Sequence, residues 1–109
     1  MEVFSVPDDL REVLHDGKIF MFTKSYCGYC ERARKLLDNL GVPYEYIAID
    51  IYPLTPEQAQ QLEDLSGITT VPNIFLGTKS IGGYDNLMKL HRSGELEKLL
   101  IENGIKVMK

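Results

Sequence analysis

Ile19-Phe20-Met21-Phe22-Thr23-Lys24-Ser25-Tyr26-Cys27-Gly28-Tyr29-Cys30 runs from a short apolar segment through a polar turn into a pair of cysteines. The continuous run Ile19 to Phe22, rich in aromatics, predicts a buried central strand. Thr23 to Tyr26 read as a turn. From Cys27 to Leu40 the periodicity becomes helical. Cys30, Ala33, Leu36, Leu37 and Leu40 fall on one face, and Glu31, Arg32, Arg34, Lys35 and Asp38 on the other. Gly41 and Pro43 end that helix. The cysteine pair therefore opens a helix directly after a strand, where open α/β sheets place their sites.

Outward from this core the punctuation stays regular. Upstream, Leu10, Val13 and Leu14 predict a short amphipathic helix stopped by Gly17. Downstream, Tyr44 to Asp50 predicts a second strand. Pro56 suits the first turn of a helix that runs to about Leu65 and is capped by Gly67. Asn73 to Leu76 reads as a third strand, and Gly77-Thr78-Lys79 as a hairpin loop into a short fourth strand at Ser80-Ile81. Gly82-Gly83 breaks it. Asp85 is a candidate cap for a helix carrying Leu87, Met88, Leu90 and His91, and Glu95 to Asn103 forms the last helix. A β-α-β unit implies a parallel pair, and the later hairpin adds antiparallel strands. The expectation is one α/β domain over residues 1–109, with a small mixed sheet and helices on both faces.

Composition narrows the classes. The 109 residues are 44% hydrophobic and 26% charged, which is ordinary globular content. A net charge of −4 lacks the basic surplus of a dedicated nucleic-acid binder. No apolar run approaches the ~20 residues of a membrane span. Met1 to Phe20 shows no basic segment followed by an apolar run, so no signal peptide is expected. Two cysteines are too few for a disulfide-rich secreted scaffold. A closed zinc site needs four ligands, and His15 and His91 are far apart in sequence. The expected setting is cytoplasmic and reducing.

Cys27-Gly28-Tyr29-Cys30 then needs a chemical reading. The first turn of a helix has unpaired N–H groups and the positive end of the macrodipole, so a thiolate at Cys27 is favoured. Cys30 lies one turn further in, within disulfide reach and more buried. Cys27 is the candidate nucleophile and Cys30 the resolving thiol. Lys24, three residues upstream, adds positive charge or holds an anion. Half a zinc site and two inert core thiols are the bland alternatives. By the same reasoning Arg32, Arg34 and Lys35 form a solvated helix face, and the histidines pack or sit on the surface.

Four segments together resemble the glutaredoxin family, within the thioredoxin-like fold. They are Phe22-Thr23-Lys24-Ser25-Tyr26-Cys27-Gly28-Tyr29-Cys30, Thr70-Val71-Pro72, Gly82-Gly83-Tyr84-Asp85 and Leu90-His91-Arg92-Ser93-Gly94-Glu95-Leu96. The resemblance covers about Ile19 to Leu100. Thioredoxin itself fits worse, since this chain has no Trp. The resemblance implies a four-stranded sheet and a glutathione-dependent thiol–disulfide oxidoreductase acting on glutathionylated proteins and protein disulfides. It implies a cis bond before Pro72, with the Val71 backbone pairing glutathione in a β-bridge. Lys24 would take the glycine carboxylate, and Gly83, Tyr84 and Asp85 the γ-glutamyl end. Tyr29, Thr70 and Pro72 complete the implied glutathione site.

Three positions depart from the family pattern. Ala59 stands where Gln is common, and Thr69 where a basic residue is common, which implies weaker glutathione binding. Gln60 and Gln61 lie on other faces of their helix. Gly28 stands where the common dithiol form has Pro. Relatives with a small residue there resemble a second type, a dimer bridged by a [2Fe–2S] cluster through Cys27 of each chain and two glutathiones. The monomer alone would then hold no metal. A redox adaptor that docks one enzyme through the helix after Gly83 is a third reading.

Overall fold

The computed structural model describes residues 1–107. Four strands form one mixed sheet: β1 (Ile19–Thr23), β2 (Glu45–Ala48), β3 (Asn73–Leu76) and β4 (Lys79–Gly82). The order across the sheet is β2-β1-β3-β4. β1 pairs parallel with β2, Phe22 opposite Ile47, and antiparallel with β3, Phe20 opposite Phe75. The central position of β1 follows from its composition, since all five of its residues are buried. Four helices accompany the sheet: α1 (Gly28–Asn39), α2 (Pro56–Ser66), α3 (Tyr84–Ser93) and α4 (Glu95–Glu102). This is the thioredoxin-like arrangement that the sequence implied.

The period-2 alternation of strand side chains divides the core in two. Ile19, Met21, Ile74 and Leu76 point to one face, where Ala33 and Leu37 of α1, Leu87 of α3 and Leu96 and Leu100 of α4 cover them. Phe20, Phe22 and Phe75 point to the other, against Leu10, Leu14 and Leu62 of α2. Phe22 sits 5.1 Å from Phe20 and 6.0 Å from Phe75, ring to ring. Truncating such a fully buried Phe to Ala typically costs about 3–5 kcal/mol.

Several boundaries differ from the sequence reading, each for a local reason. The upstream helix is a single 3₁₀ turn, Leu10–Val13. Asp9 caps it, and Arg11 and Gln61 hydrogen bonds hold that carboxyl well below its usual range. The second strand covers only Glu45–Ala48, because the N–H groups of Ile51 and Tyr52 both turn back to the Ala48 carbonyl. The fourth strand is longer than Ser80-Ile81 and includes Gly82, with a register shift opposite Ile74 and Phe75. The cap of α3 is Gly83, not Asp85, which lies in the first turn. α2 begins with a full capping box, Thr55 with Gln58, ahead of Pro56. Arg34 is not on a solvated face: it lies half-buried over the Tyr46 ring, 4.6 Å from its centroid. Its Nε is buried without a hydrogen-bond partner. No helix among the described residues is long and apolar enough to cross a membrane.

Candidate active site

Cys27 is the N-cap of α1, in extended backbone conformation. Its sulfur accepts a hydrogen bond from the Cys30 N–H at 3.1 Å, so the thiol itself caps the helix. The Cys27 thiol also reaches the Val71 carbonyl, 3.8 Å away. The Val71–Pro72 bond is cis, as the resemblance implied. Cys27 is partly exposed, Cys30 is buried, and both are free thiols. Burial, and then the Cys27 sulfur beside it, push the Cys30 thiol up to about 12. At neutral pH Cys30 is therefore protonated. The two sulfurs have unequal access and unequal chemistry.

The loop before Cys27 is braced from the neighbouring parallel strand. Asp50, just past β2, accepts hydrogen bonds from the Ser25 N–H at 2.9 Å and from the Ser25 hydroxyl. Those bonds hold the Asp50 carboxyl below its ordinary range. Buried Thr23 donates its hydroxyl to the Ile47 carbonyl at 2.9 Å. Both links cross from the β1 end to the β2 end, so the loop that carries Cys27 rests on the sheet.

On the other flank lies an open groove of about 950 Å³. Of the eight residues implied for glutathione, seven line it: Tyr29, Thr70, Val71, Pro72, Gly83, Tyr84 and Asp85. Lys24 does not; it is half-buried, with its carbonyl accepting the Cys27 N–H at 3.2 Å. The groove is within the size range of small-molecule sites. Tyr29 and Tyr84 lie 5.6 Å apart, ring to ring, and join the first turns of α1 and α3 across its rim. Arg32 sits over the outer side of Tyr29, 5.3 Å from its centroid. The first turn of α3 has no side-chain cap, which leaves its N–H groups open.

Of the departures, Ala59 and Thr69 are exposed and line no part of the groove. The α2 glutamines are committed elsewhere. Gln61 bonds the Leu10 N–H and Asp9, Gln60 bonds Asp64, and Gln58 bonds Thr55 and the Pro7 carbonyl. The Ser25–Asp50 brace and the Tyr29–Tyr84–Arg32 stack were not read from the sequence. Each joins residues 25 or more positions apart, or a cation to a ring, with no local signal.

The family model described as Glutaredoxin matches residues 19–81, from β1 into β4 and across the cysteine pair. The chain belongs to the glutaredoxin family. This glutaredoxin is 38% identical over 94 residues to a glutaredoxin of Ricinus communis, covering 86% of this chain and 92% of that one. It is 36% identical to glutaredoxin-C1 of Arabidopsis thaliana over 95% of this chain and 82% of that one. Among solved structures it is similar to a buckwheat glutaredoxin–glutathione complex, with TM-score 0.78, 39% identity and 86% of each chain covered. The enzyme class follows: this glutaredoxin is a glutathione-dependent thiol–disulfide oxidoreductase.

Proposed function

We propose that Cys27 is the nucleophile that takes glutathione from glutathionylated proteins, and that Cys30 serves only when the substrate is a protein disulfide. In the first reaction the Cys27 thiolate attacks the glutathionyl sulfur of a mixed disulfide. The partner's sulfur leaves as a thiolate and takes up a proton. A second glutathione thiolate then attacks the glutathionyl sulfur on Cys27, giving glutathione disulfide and freeing Cys27. In the second reaction Cys27 attacks a protein disulfide and one protein thiolate leaves. Cys30 loses its proton to solvent and attacks the Cys27 sulfur, releasing the second protein thiolate. Two glutathiones reduce the resulting Cys27–Cys30 disulfide.

The observation that carries this reading is the contrast between the two thiols. Cys27 is accessible, and its sulfur receives the Cys30 N–H at the start of α1. Cys30 is buried and protonated at neutral pH.

Glutathione lies along the groove, its cysteinyl backbone against Val71 and flanked by Thr70 and Pro72. The buckwheat relative's glutathione complex supports this choice of ligand. Lys24 takes the glycine carboxylate. The open N–H groups at Gly83 and Tyr84 receive the γ-glutamyl carboxylate, and Asp85 its ammonium. The enzyme works as a monomer in a reducing cytoplasm.

One feature favours a second reading. Gly28 is exposed, and no atom lies within 4 Å of where its Cβ would be, so the surface at the position next to Cys27 is unobstructed. A second chain with a bridging [2Fe–2S] cluster could use that space. Among the described residues no group of three or more His, Cys, Asp or Glu could hold a metal. The family resemblance implies that such a cluster would rest on Cys27 of each chain and on two glutathiones.

A glutathione-coupled reductase assay on a glutathionylated protein tests the leading reading. Wild type and Cys30→Ser are expected to turn over, and Cys27→Ser is not. Turnover by Cys27→Ser would overturn it. Anaerobic reconstitution with glutathione, followed by iron counting and gel filtration, tests the cluster. An iron-free monomer would remove that reading.

A further inference from the structure

The chain enters α1 through a tight turn, Lys24 to Cys27. The Cys27 N–H closes that turn on the Lys24 carbonyl at 3.2 Å. Cys27 then begins the helix, its sulfur accepting the Cys30 N–H. The turn also bears on the second cysteine. Burial raises the Cys30 thiol, and the Lys24 backbone N–H opposes that rise. A shift of the turn therefore changes the surroundings of both sulfurs.

A residue outside the turn holds it. Asp50 takes both donors of Ser25, the turn's second residue: one carboxylate oxygen accepts the Ser25 N–H and the other its hydroxyl. Two further links join the ends of the parallel strands. Thr23 donates its hydroxyl to the Ile47 carbonyl and accepts the Ile49 N–H at its own carbonyl, each at 2.9 Å. Both stop at Thr23, the last residue of β1. The Asp50 bonds go beyond it. Asp50 stands on a firm base, because the Ile51 and Tyr52 N–H groups both return to the Ala48 carbonyl. Asp50 and Ser25 are exposed, so the pair adds little to the core and its effect is local.

We propose that Asp50 is a positioning residue for thiol exchange: through Ser25 it fixes the Lys24–Cys27 turn and sets how the Cys27 sulfur meets a disulfide. This rests on the reading of Cys27 as nucleophile above. A thiolate attacks a disulfide sulfur along the bond that breaks, so its direction matters as much as its reactivity. The charge of Asp50 is no help, since a carboxylate repels an attacking thiolate. What reaches the reaction is the pair of hydrogen bonds. Asn in its place keeps both, its oxygen accepting the Ser25 N–H and its amide donating to the hydroxyl oxygen. Ala keeps neither.

The test compares Asp50→Ala, Asp50→Asn, Ser25→Ala and the Asp50→Ala/Ser25→Ala double variant, with a glutathionylated peptide as substrate. Asp50→Ala is expected to lose about tenfold in kcat/KM, within the range that a small misplacement of a reacting group costs. Asp50→Asn is expected to stay within about twofold of wild type, the bonds being kept and the charge lost. Ser25→Ala falls between, and adding it to Asp50→Ala costs nothing more, because the two residues act through one link. Hydrogen exchange followed by NMR locates the effect. In Asp50→Ala the Cys27 amide is expected to exchange about tenfold faster, while the Ile49 amide, bonded to Thr23, keeps its rate. Wild-type kcat/KM in Asp50→Ala, an Asp50→Asn as slow as Asp50→Ala, or additive losses would overturn the inference and leave the nucleophile reading standing. So would faster exchange at Ile49 as well, which would mean a general loosening of the sheet end. Turnover by Cys27→Ser would overturn both.

Discussion

Two helix N-termini border the groove, and they are finished differently. The first turn of α1 is capped by the Cys27 sulfur, which accepts the Cys30 N–H. The first turn of α3 follows Gly83 and carries no side-chain cap. One end supplies its own acceptor, a cysteine sulfur. The other end leaves its N–H groups without a side-chain partner. Under the proposed function, the same backbone feature supports the nucleophile on one side and receives the ligand on the other. The Tyr29–Tyr84 contact holds the two ends in a fixed relation.

The largest effect comes from separating capping from chemistry at Cys27. Cys27→Ser keeps an oxygen that accepts the Cys30 N–H. It is expected to hold Tm near the wild-type value while activity falls by about 1,000-fold or more, since a hydroxyl is a poor nucleophile at its free pKa. Cys27→Ala is equally inactive but also loses the cap. It is expected to be about 1 kcal/mol less stable, which lowers Tm by roughly 4–8 °C in a domain of this size. Equal melting temperatures for the two variants would show that the sulfur does not cap α1.

A smaller effect is expected at the α3 end. Tyr84→Ala removes one wall of the groove and its stacking with Tyr29, worth about 0.5–1.5 kcal/mol. KM for glutathione is expected to rise several-fold with kcat nearly unchanged. A fall in kcat at constant KM would place Tyr84 in the chemical step instead.

The smallest effect concerns Cys30 and pH. Its thiol is raised from 9.0 to about 12 in the folded protein, chiefly by burial. Above pH 9 the unfolded chain releases this proton and the folded chain keeps it. The folded state therefore binds more protons, and stability falls as pH rises from about 9 toward 12. Thermal melts from pH 8 to 10.5 should show Cys30→Ser losing less stability than wild type. Iodoacetamide at pH 8 should label Cys27 and spare Cys30.

Much of this organisation was legible in the chain. Ile19 to Phe22 announced the central strand, and the spacing of Cys30, Ala33 and Leu37 placed α1 and its buried face. Gly67 marked a helix end, and it adopts the left-handed conformation there. Local pattern failed where a distant partner decides. Whether Leu10 to Val13 is helix or 3₁₀ turn depends on Asp9, Arg11 and Gln61 together. Arg34 reads as a surface charge until Tyr46 comes beside it from β2. In the site, the cysteines and the groove residues were named in advance from motif and resemblance. Asp50 was not, because its role depends on the parallel register that brings the end of β2 beside Ser25.

The central claim is that Cys27 exchanges glutathione without help from Cys30. It is tested most directly by the Cys30→Ser variant, in which Cys27 is the only cysteine. Incubated with glutathione disulfide and examined by intact-mass spectrometry, this variant is expected to gain one glutathionyl group, which free glutathione then removes. No adduct, or an adduct that glutathione cannot release, would contradict the account.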